Sequence, residues 1–178
     1  MEYSTKPLYE AKQEFPDMLS LISQYVENSR NLAVLKYCSM NGGRVVLAHD
    51  KSKLVGFYIY IPGDQFFKSP LYMKYKFFVL DFRGIQPKEC TVGMLSVIDQ
   101  DYPQDVYYEM NKLRIQDARD QGFLCGLINM NADYSNSGLC KMDEWSKIPE
   151  FFMGLTETTI VETGVKNDAG KPILIQYY

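Results

Sequence analysis

The chain has 178 residues, of which 46% are hydrophobic and 23% charged, as is typical of one soluble globular domain. Its formal net charge of −3, with lysines scattered among acids and aromatics, argues against a nucleic-acid-binding face. One histidine and four widely spaced cysteines provide no zinc-binding pattern, so no metal ligand is predicted.

The N-terminus carries no signal-peptide pattern, and no segment approaches the run of about 18 apolar residues that a membrane span requires. We therefore expect a cytoplasmic protein without a membrane anchor. In a reducing compartment all four cysteines should be free thiols.

The first half of the chain predicts two helices followed by a β-hairpin. In chain order, the predicted elements are a short strand over 2–5, helices over 13–26 and 31–39, hairpin strands over 44–49 and 54–61, and a strand over 76–82. The helix over 13–26 is predicted by apolar residues that recur every three or four positions. The apolar segment 64–74 is predicted to be a loop that folds over the core or over a pocket.

The clearest pattern is a strand–helix–strand unit over 91–129. It consists of a strand over 92–98, a helix over 104–121 and a strand over 123–128. The helix face expected to be buried carries Val106, Met110, Leu113 and Ala118. Because a helix joins the two strands, they are predicted to be parallel neighbours in one sheet.

The remainder of the chain predicts a loop over 129–142 and a short helix over 143–154. A C-terminal hairpin follows, with strands over 158–165 and 173–178.

This order of elements resembles that of the GNAT superfamily, the GCN5-related N-acetyltransferases. The resemblance covers nearly the whole chain, and its motifs are KLVGFYIY at 53–60, the strand–turn–helix–glycine pattern of 92–122, and FFMGL at 151–155. It implies an α/β fold in one GNAT-like domain over 1–178. In that fold a central mixed sheet carries helices on both faces and contains a parallel strand–helix–strand core.

The resemblance also implies a reaction, in which an acyl group passes from acetyl-CoA or another acyl-CoA to a primary amine. The amine would belong to a small molecule or a protein, and a homodimer is left open. In the family, a glycine-rich loop at the start of the helix after the fourth strand binds the acyl-CoA pyrophosphate, because free backbone amides face it. Here the matching segment, 101–108, has no glycine, and it contains Pro103, Asp101 and Asp105.

The resemblance places the pantetheine where strands 92–98 and 123–128 diverge, and the pyrophosphate against the following amides. The residues implied to bind the cofactor are Val97, Ile98, Asp99, Gln104, Asp105, Val106 and Tyr107.

Candidate catalytic residues are less clearly marked. At the position where the family often has a general-acid tyrosine, this chain has Glu150, so Tyr134 is the substitute candidate. Asp81, Asp99 and Glu109 are candidates for the base that deprotonates the incoming ammonium. A rival register would place the family's fourth strand at 76–82 and favour Asp81, but Pro87 argues against the helix that would have to follow.

Two other interpretations remain open at this stage. The chain could be a GNAT-fold protein without catalytic activity that acts as a binding or regulatory module, with the aromatic residues of 64–74 as a contact patch. It could also be an unrelated α/β domain whose order of elements matches by chance.

Overall fold

The computed structural model describes residues 1–25, 31–69, 84, 86–103, 105–129, 158–166 and 172–178. The strands are β1 (Glu2–Pro7), β2 (Arg44–Asp50), β3 (Lys53–Pro62), β4 (Cys90–Ile98), β5 (Cys125–Asn129), β6 (Thr159–Lys166) and β7 (Pro172–Tyr177). The α-helices are α1 (Phe15–Ser23), α2 (Asn31–Met40), α3 (Gly63–Phe66) and α4 (Asp105–Asp120). The predicted strand 76–82 and helix 143–154 lie outside the described residues, as does nearly all of the loop predicted over 129–142.

The described strands form one sheet in the order β1-β2-β3-β4-β5-β7-β6. Neighbouring strands are antiparallel except β4 and β5, which are parallel. The predicted parallel pair on either side of a helix is therefore confirmed, and so are both hairpins. The mixed α/β fold class is confirmed with them.

Helices cover both faces of the sheet, and each face has its own apolar core. On one face, residues of α1 and α2 such as Met18 and Leu35 pack with Phe57, Leu95 and Val97 of the sheet. On the other face, α4 packs on the sheet through Val106, Met110 and Ala118. None of the described helices is both long and apolar enough to cross a membrane.

The N-terminal helix differs from its prediction. The helix expected over 13–26 begins at Phe15 and ends at Ser23, with Pro16 in its first turn, where the missing amide costs no hydrogen bond. A 3₁₀ segment, Leu8–Glu14, precedes it and buries Leu8 and Ala11 completely. The segment predicted as a loop after β3 also begins differently, since Gly63–Phe66 forms the short helix α3.

The buried face of α4 is more polar than predicted. Val106, Met110 and Ala118 are buried as expected, but Leu113 is only partly buried. The positions that instead face the sheet include Asn111, Arg114 and Asp117, which are 0%, 1% and 8% exposed. The buried face of α4 is therefore offset around the helix from the predicted apolar stripe, and it includes polar side chains that need hydrogen-bond partners.

Candidate active site

The parallel pair of strands opens partway along its length. Cys90, Thr91 and Val92 of β4 pair with Cys125, Gly126 and Leu127 of β5, and the ladder ends there. Beyond it, in the described part of the chain, β5 continues to Asn129 as the neighbour of β7, and β4 continues to Ile98 as the neighbour of β3. We call the gap between residues 93–98 and 128–129 the fork.

The fork leaves one edge of β4 without a strand partner among the described residues. A β-bulge adds to the irregularity, because Gly93 pairs with Tyr60 and Leu95 with Ile59, so that Met94 is an extra residue on β4. Backbone N–H and C=O groups at such an edge must bind water or a ligand. An extended ligand that carries amide groups can therefore hydrogen-bond along it, as an added strand would.

Two glycines allow side chains to approach the backbone closely at the base of the fork. A Cβ atom on Gly93 would lie 2.5 Å from the Tyr58 hydroxyl oxygen, and one on Gly126 would contact the Tyr178 hydroxyl and lie 3.1 Å from Arg114 Nη1. Only a residue without Cβ permits either approach. Three polar groups, from β3, from α4 and from the residue that follows β7, therefore converge just below the point where β4 and β5 separate.

Arg114 of α4 is the centre of this cluster. Its Nη2 donates to Gln176 Oε1 at 2.5 Å and its Nη1 donates to the Tyr178 hydroxyl at 2.9 Å, while its Nε has no hydrogen-bond partner among the described residues. The guanidinium carbon also lies 5.1 Å from the centre of the Tyr58 ring and 5.7 Å from that of Tyr178. Every group that contacts it is neutral, so a buried cation is present without a carboxylate partner in the described part of the chain.

The hydrogen bonds continue outward from Arg114. Gln176 Nε2 donates to Thr158 Oγ1 at 2.8 Å, and the hydroxyls of Tyr178 and Thr91 are 2.7 Å apart. The network thus joins α4 to β4, to β7 and to the residue before β6.

A second polar cluster lies further along α4. Asp117 accepts hydrogen bonds of 2.7 Å from Arg44 Nε and Nη2, and one of 2.6 Å from the Tyr60 hydroxyl. Burial, together with the hydrogen bond to Asp117, raises the pKa of Tyr60. This cluster is charge-balanced and fixes α4 to β2 and β3.

In the segment that the resemblance assigns to the pyrophosphate, three backbone amides already donate hydrogen bonds within the segment or to Asp99. Asp101 N donates to Asp99 Oδ1 at 3.1 Å, Tyr102 N to Asp99 O at 3.0 Å, and Val106 N to Pro103 O at 3.1 Å. The helix start therefore satisfies much of its own hydrogen bonding, unlike a glycine-rich phosphate loop.

Asp99 holds this segment in place. Its own amide donates to Val55 O at 2.7 Å, and its carboxylate accepts from Lys53 Nζ at 2.8 Å. Burial alone would raise the pKa of Asp99, but the hydrogen bonds from Lys53 and from the Asp101 amide lower it. The Lys53 side chain is 60% exposed, so solvent reaches this cation although its partner Asp99 is buried.

The predicted site residues are distributed unevenly around the fork. Val97 and Ile98 lie on its β4 side, and Asp99 and Val106 follow it, all four buried. Tyr107 buries its ring completely under α4, and Asp105 is exposed at the helix start. Glu109 lies on the solvent side of α4, with its side chain 47% exposed and 2.7 Å from Lys112 Nζ. Three predicted site residues lie outside the described residues, namely Asp81, Gln104 and Tyr134.

Sequence reasoning did not identify Tyr58 or Arg114. The position of Arg114 could have indicated that it is buried, because it follows Val106, Tyr107 and Met110 at helical intervals and therefore lies on the core face of α4. The signal for Tyr58 was the strand alternation that places its ring on the same face as that of Tyr60. Among the described residues, no group of three or more metal-binding side chains is found.

A mixed sheet with helices on both faces, in which the central parallel pair opens into a fork, is the fold of the GNAT acetyltransferases. The predicted resemblance is confirmed at this level, since solved GNAT structures superimpose on nearly the whole chain.

Three of these structures illustrate the likeness, all at 9% identity. An acyl-CoA N-acyltransferase from Pseudomonas aeruginosa has a TM-score of 0.61, with 99% of both chains covered. A GNAT-family acetyltransferase from Staphylococcus aureus Mu50 has a TM-score of 0.60, also with 99% of both chains covered. The PaiA N-acetyltransferase from Thermoplasma acidophilum, solved in complex with coenzyme A, has a TM-score of 0.57 with 100% of both covered. No protein-family model matches the chain, and no curated protein matches it.

Proposed function

We propose that this protein transfers an acyl group from acyl-CoA to a primary amine of a small molecule or a protein. The observation that carries the proposal is the fork, where the β4 edge from Gly93 to Ile98 that faces away from β3 has no strand partner among the described residues. Pantetheine is an extended chain with two amide groups, so it can pair with such an edge in the way a strand does. The GNAT fold supports the same assignment by analogy.

The pyrophosphate would lie near the amides at the start of α4, beside Gln104, Asp105 and Tyr107. Phosphate binding at a helix start relies on free amides and on the helix dipole. Here the dipole is retained, while several amides already donate within the segment. We therefore expect most of the affinity for acyl-CoA to come from the pantetheine rather than from the phosphates.

Asp105 provides the sharpest test, because it places an exposed carboxylate where a dianion would bind. The repulsion is on the order of 1 kcal/mol near a protein surface, which corresponds to roughly five-fold in affinity. Calorimetric titration with acetyl-CoA should show tighter binding by about that factor in Asp105→Asn, which removes the charge and keeps the size of the side chain. The matched control is Asp120→Asn, at the far end of the same helix, which should leave the affinity unchanged.

A second titration separates the two ends of the cofactor. If the fork carries the affinity, acetyl-pantetheine, which lacks the nucleotide, should bind within about ten-fold of acetyl-CoA. Flat titrations of folded wild type with both compounds would reject the acyl-CoA assignment. They would favour the competing interpretation of a binding module without catalytic activity.

The reaction also needs an acid and a base. Asp81, Glu109 and Tyr134 remain predictions from the sequence and from the family resemblance. Of these, Glu109 would require an acceptor amine that approaches over the outer surface of α4, because its carboxylate is exposed there.

A further inference from the structure

We propose that Tyr58 is the group that protonates the departing thiolate in this reaction, and that the buried guanidinium of Arg114 positions it and stabilises the negative charge that develops at the fork. This inference rests on the proposed acyl transfer and adds a catalytic residue that the sequence did not indicate.

The first step of the argument is where the Tyr58 hydroxyl lies. The residue is on β3 and is only 5% exposed, yet its hydroxyl is in contact with Gly93, the first β4 residue beyond the paired part of the ladder. A proton donor at this point is directed at the base of the fork. This is the part of the fork that the acyl end of an extended thioester would reach if its pantetheine paired with β4.

The second step is that this hydroxyl is uncommitted. Tyr60, two residues further along the same strand and on the same face, donates to Asp117, and Tyr178 is hydrogen-bonded to Thr91 and Arg114. Within the described part of the chain, Tyr58 forms no hydrogen bond through its hydroxyl, and that oxygen is not enclosed. A buried ring with a free hydroxyl at a gap in the sheet is therefore arranged for a partner that arrives with a ligand.

The third step concerns the charge of Arg114. A guanidinium that is 1% exposed and has only neutral partners carries a large desolvation cost that no carboxylate offsets in the described residues. If α4 needed only a tie to Gln176 and Tyr178, a neutral amide could supply hydrogen bonds without that cost. A retained buried cation, 5.1 Å from the Tyr58 ring centre, is instead suited to negative charge that forms nearby during a reaction.

The chemistry balances without any further reactant. The amine nitrogen attacks the thioester carbonyl carbon, a C–N bond forms, and the C–S bond breaks with its electron pair moving to sulfur. Tyr58 gives its hydroxyl proton to that sulfur, which leaves as a thiol. The proton lost by the acceptor nitrogen restores the phenol through solvent, while Arg114 favours the transient phenolate.

The test compares Tyr58→Phe with wild type, using acetyl-CoA as donor and hydroxylamine as acceptor. Hydroxylamine is uncharged at neutral pH, so the assay does not depend on a general base, and thiol release is followed directly. We expect the dissociation constant for acetyl-CoA to stay within about two-fold, while kcat falls about 100-fold, as removal of a general acid does.

The matched control is Tyr60→Phe, which removes a hydroxyl from the same strand and face. It should lower Tm, because Asp117 loses a donor, and leave kcat within about two-fold. The role of Arg114 is tested with Arg114→Lys and Arg114→Gln, each checked for an intact fold. The lysine variant, which keeps the charge, should retain at least about ten-fold more kcat than the glutamine variant, with similar dissociation constants for acetyl-CoA.

The outcomes distinguish failure of the acyl-transfer function from failure of the roles assigned to Tyr58 and Arg114. Wild type that binds neither acetyl-CoA nor acetyl-pantetheine rejects the acyl-transfer function and this inference with it. Wild type that binds acetyl-CoA but releases no thiol overturns acyl transfer, and the catalytic role of Tyr58 with it, and leaves cofactor binding intact. Normal turnover in Tyr58→Phe, or equal losses in the two folded Arg114 variants, overturns the corresponding assignment while the acyl-transfer function stands.

Discussion

Replacement of Asp117 by asparagine should be among the more costly single changes that α4 can accept. The carboxylate accepts two hydrogen bonds of 2.7 Å from Arg44 and one of 2.6 Å from Tyr60. Asp117 is 8% exposed and the Arg44 side chain 19%, so solvent screens the pair little. Asparagine keeps the shape and one acceptor oxygen, but it removes the charge and presents an amide to the guanidinium.

The size of the effect follows from these contacts. A hydrogen bond to a charged group contributes about 1.5–3 kcal/mol and a neutral one about 0.5–1.5, so converting or losing the three bonds costs roughly 3 kcal/mol. The partial exposure of Arg44 keeps the loss at the lower end of the range of about 3–5 kcal/mol for breaking a fully buried pair. For a chain of this length, Tm should then fall by about 6–12 °C.

Urea and thermal unfolding at pH 7 measure this directly. The matched control on the same helix is Lys112→Gln, which removes an ion pair whose two side chains are 44% and 47% exposed. That change should cost less than about 0.5 kcal/mol. A loss below about 1 kcal/mol in Asp117→Asn would refute the reasoning, because it would mean that desolvation of the pair already cancels its attraction.

Three further predictions follow from close contacts and from titration. Gly93→Ala should destabilise the protein, because the new Cβ would lie 2.5 Å from the Tyr58 hydroxyl. In a double-mutant cycle of urea unfolding, Tyr58→Phe should recover about 1 kcal/mol of that loss, whereas strict additivity of the two changes would contradict the contact. The pKa of Asp99 is lowered in the folded protein, so its ionised carboxylate stabilises the fold above the pKa of the unfolded chain, and this stabilisation is lost as pH falls through the pKa of the folded protein. The difference in unfolding free energy between wild type and Asp99→Asn should therefore be constant near pH 7 and shrink below about pH 4. A difference that persists at about pH 3 would show that the charge of Asp99 is not responsible. Burial raises the pKa of the Cys38 thiol to about 12, so this thiol should not react with a thiol reagent at pH 8 in the native protein, whereas titration of the denatured, unreduced chain should find all four cysteines.

The sequence predicted the elements whose patterns are local. The β4–α4–β5 unit was recognisable because two apolar strands flank a helix with 3.6-residue periodicity and a glycine stop at Gly122. The 3₁₀ segment Leu8–Glu14 was missed because it does not follow that period, although Leu8 and Ala11 are fully buried. The same pattern also supports the parallel pairing of β4 and β5, because a helix between two neighbouring strands is the usual connection of a parallel pair.

The polar core under α4 could not be predicted in the same way. Hydropathy assigns Arg114 and Asp117 to the surface, and only their partners explain their burial. Those partners are distant in sequence: Gln176 lies 62 residues from Arg114, and Arg44 lies 73 residues from Asp117. The fork has a similar origin, because nothing in the composition of 92–98 shows that its pairing with β5 ends at Val92.

The two polar clusters under α4 differ in a way that bears on function. Asp117 and Arg44 neutralise one another, so their burial is explained by stability alone. Arg114 lies three residues earlier on the same helix and is more completely buried than Arg44, yet its partners among the described residues are all neutral. A helix that needed only to dock on the sheet would gain from a paired or apolar residue at that position. The unpaired charge lies next to Gly126 and to the ring of Tyr58, where β4 and β5 separate. Negative charge that would balance it is therefore expected at the fork, and in the proposed reaction it forms there as the thiolate leaves.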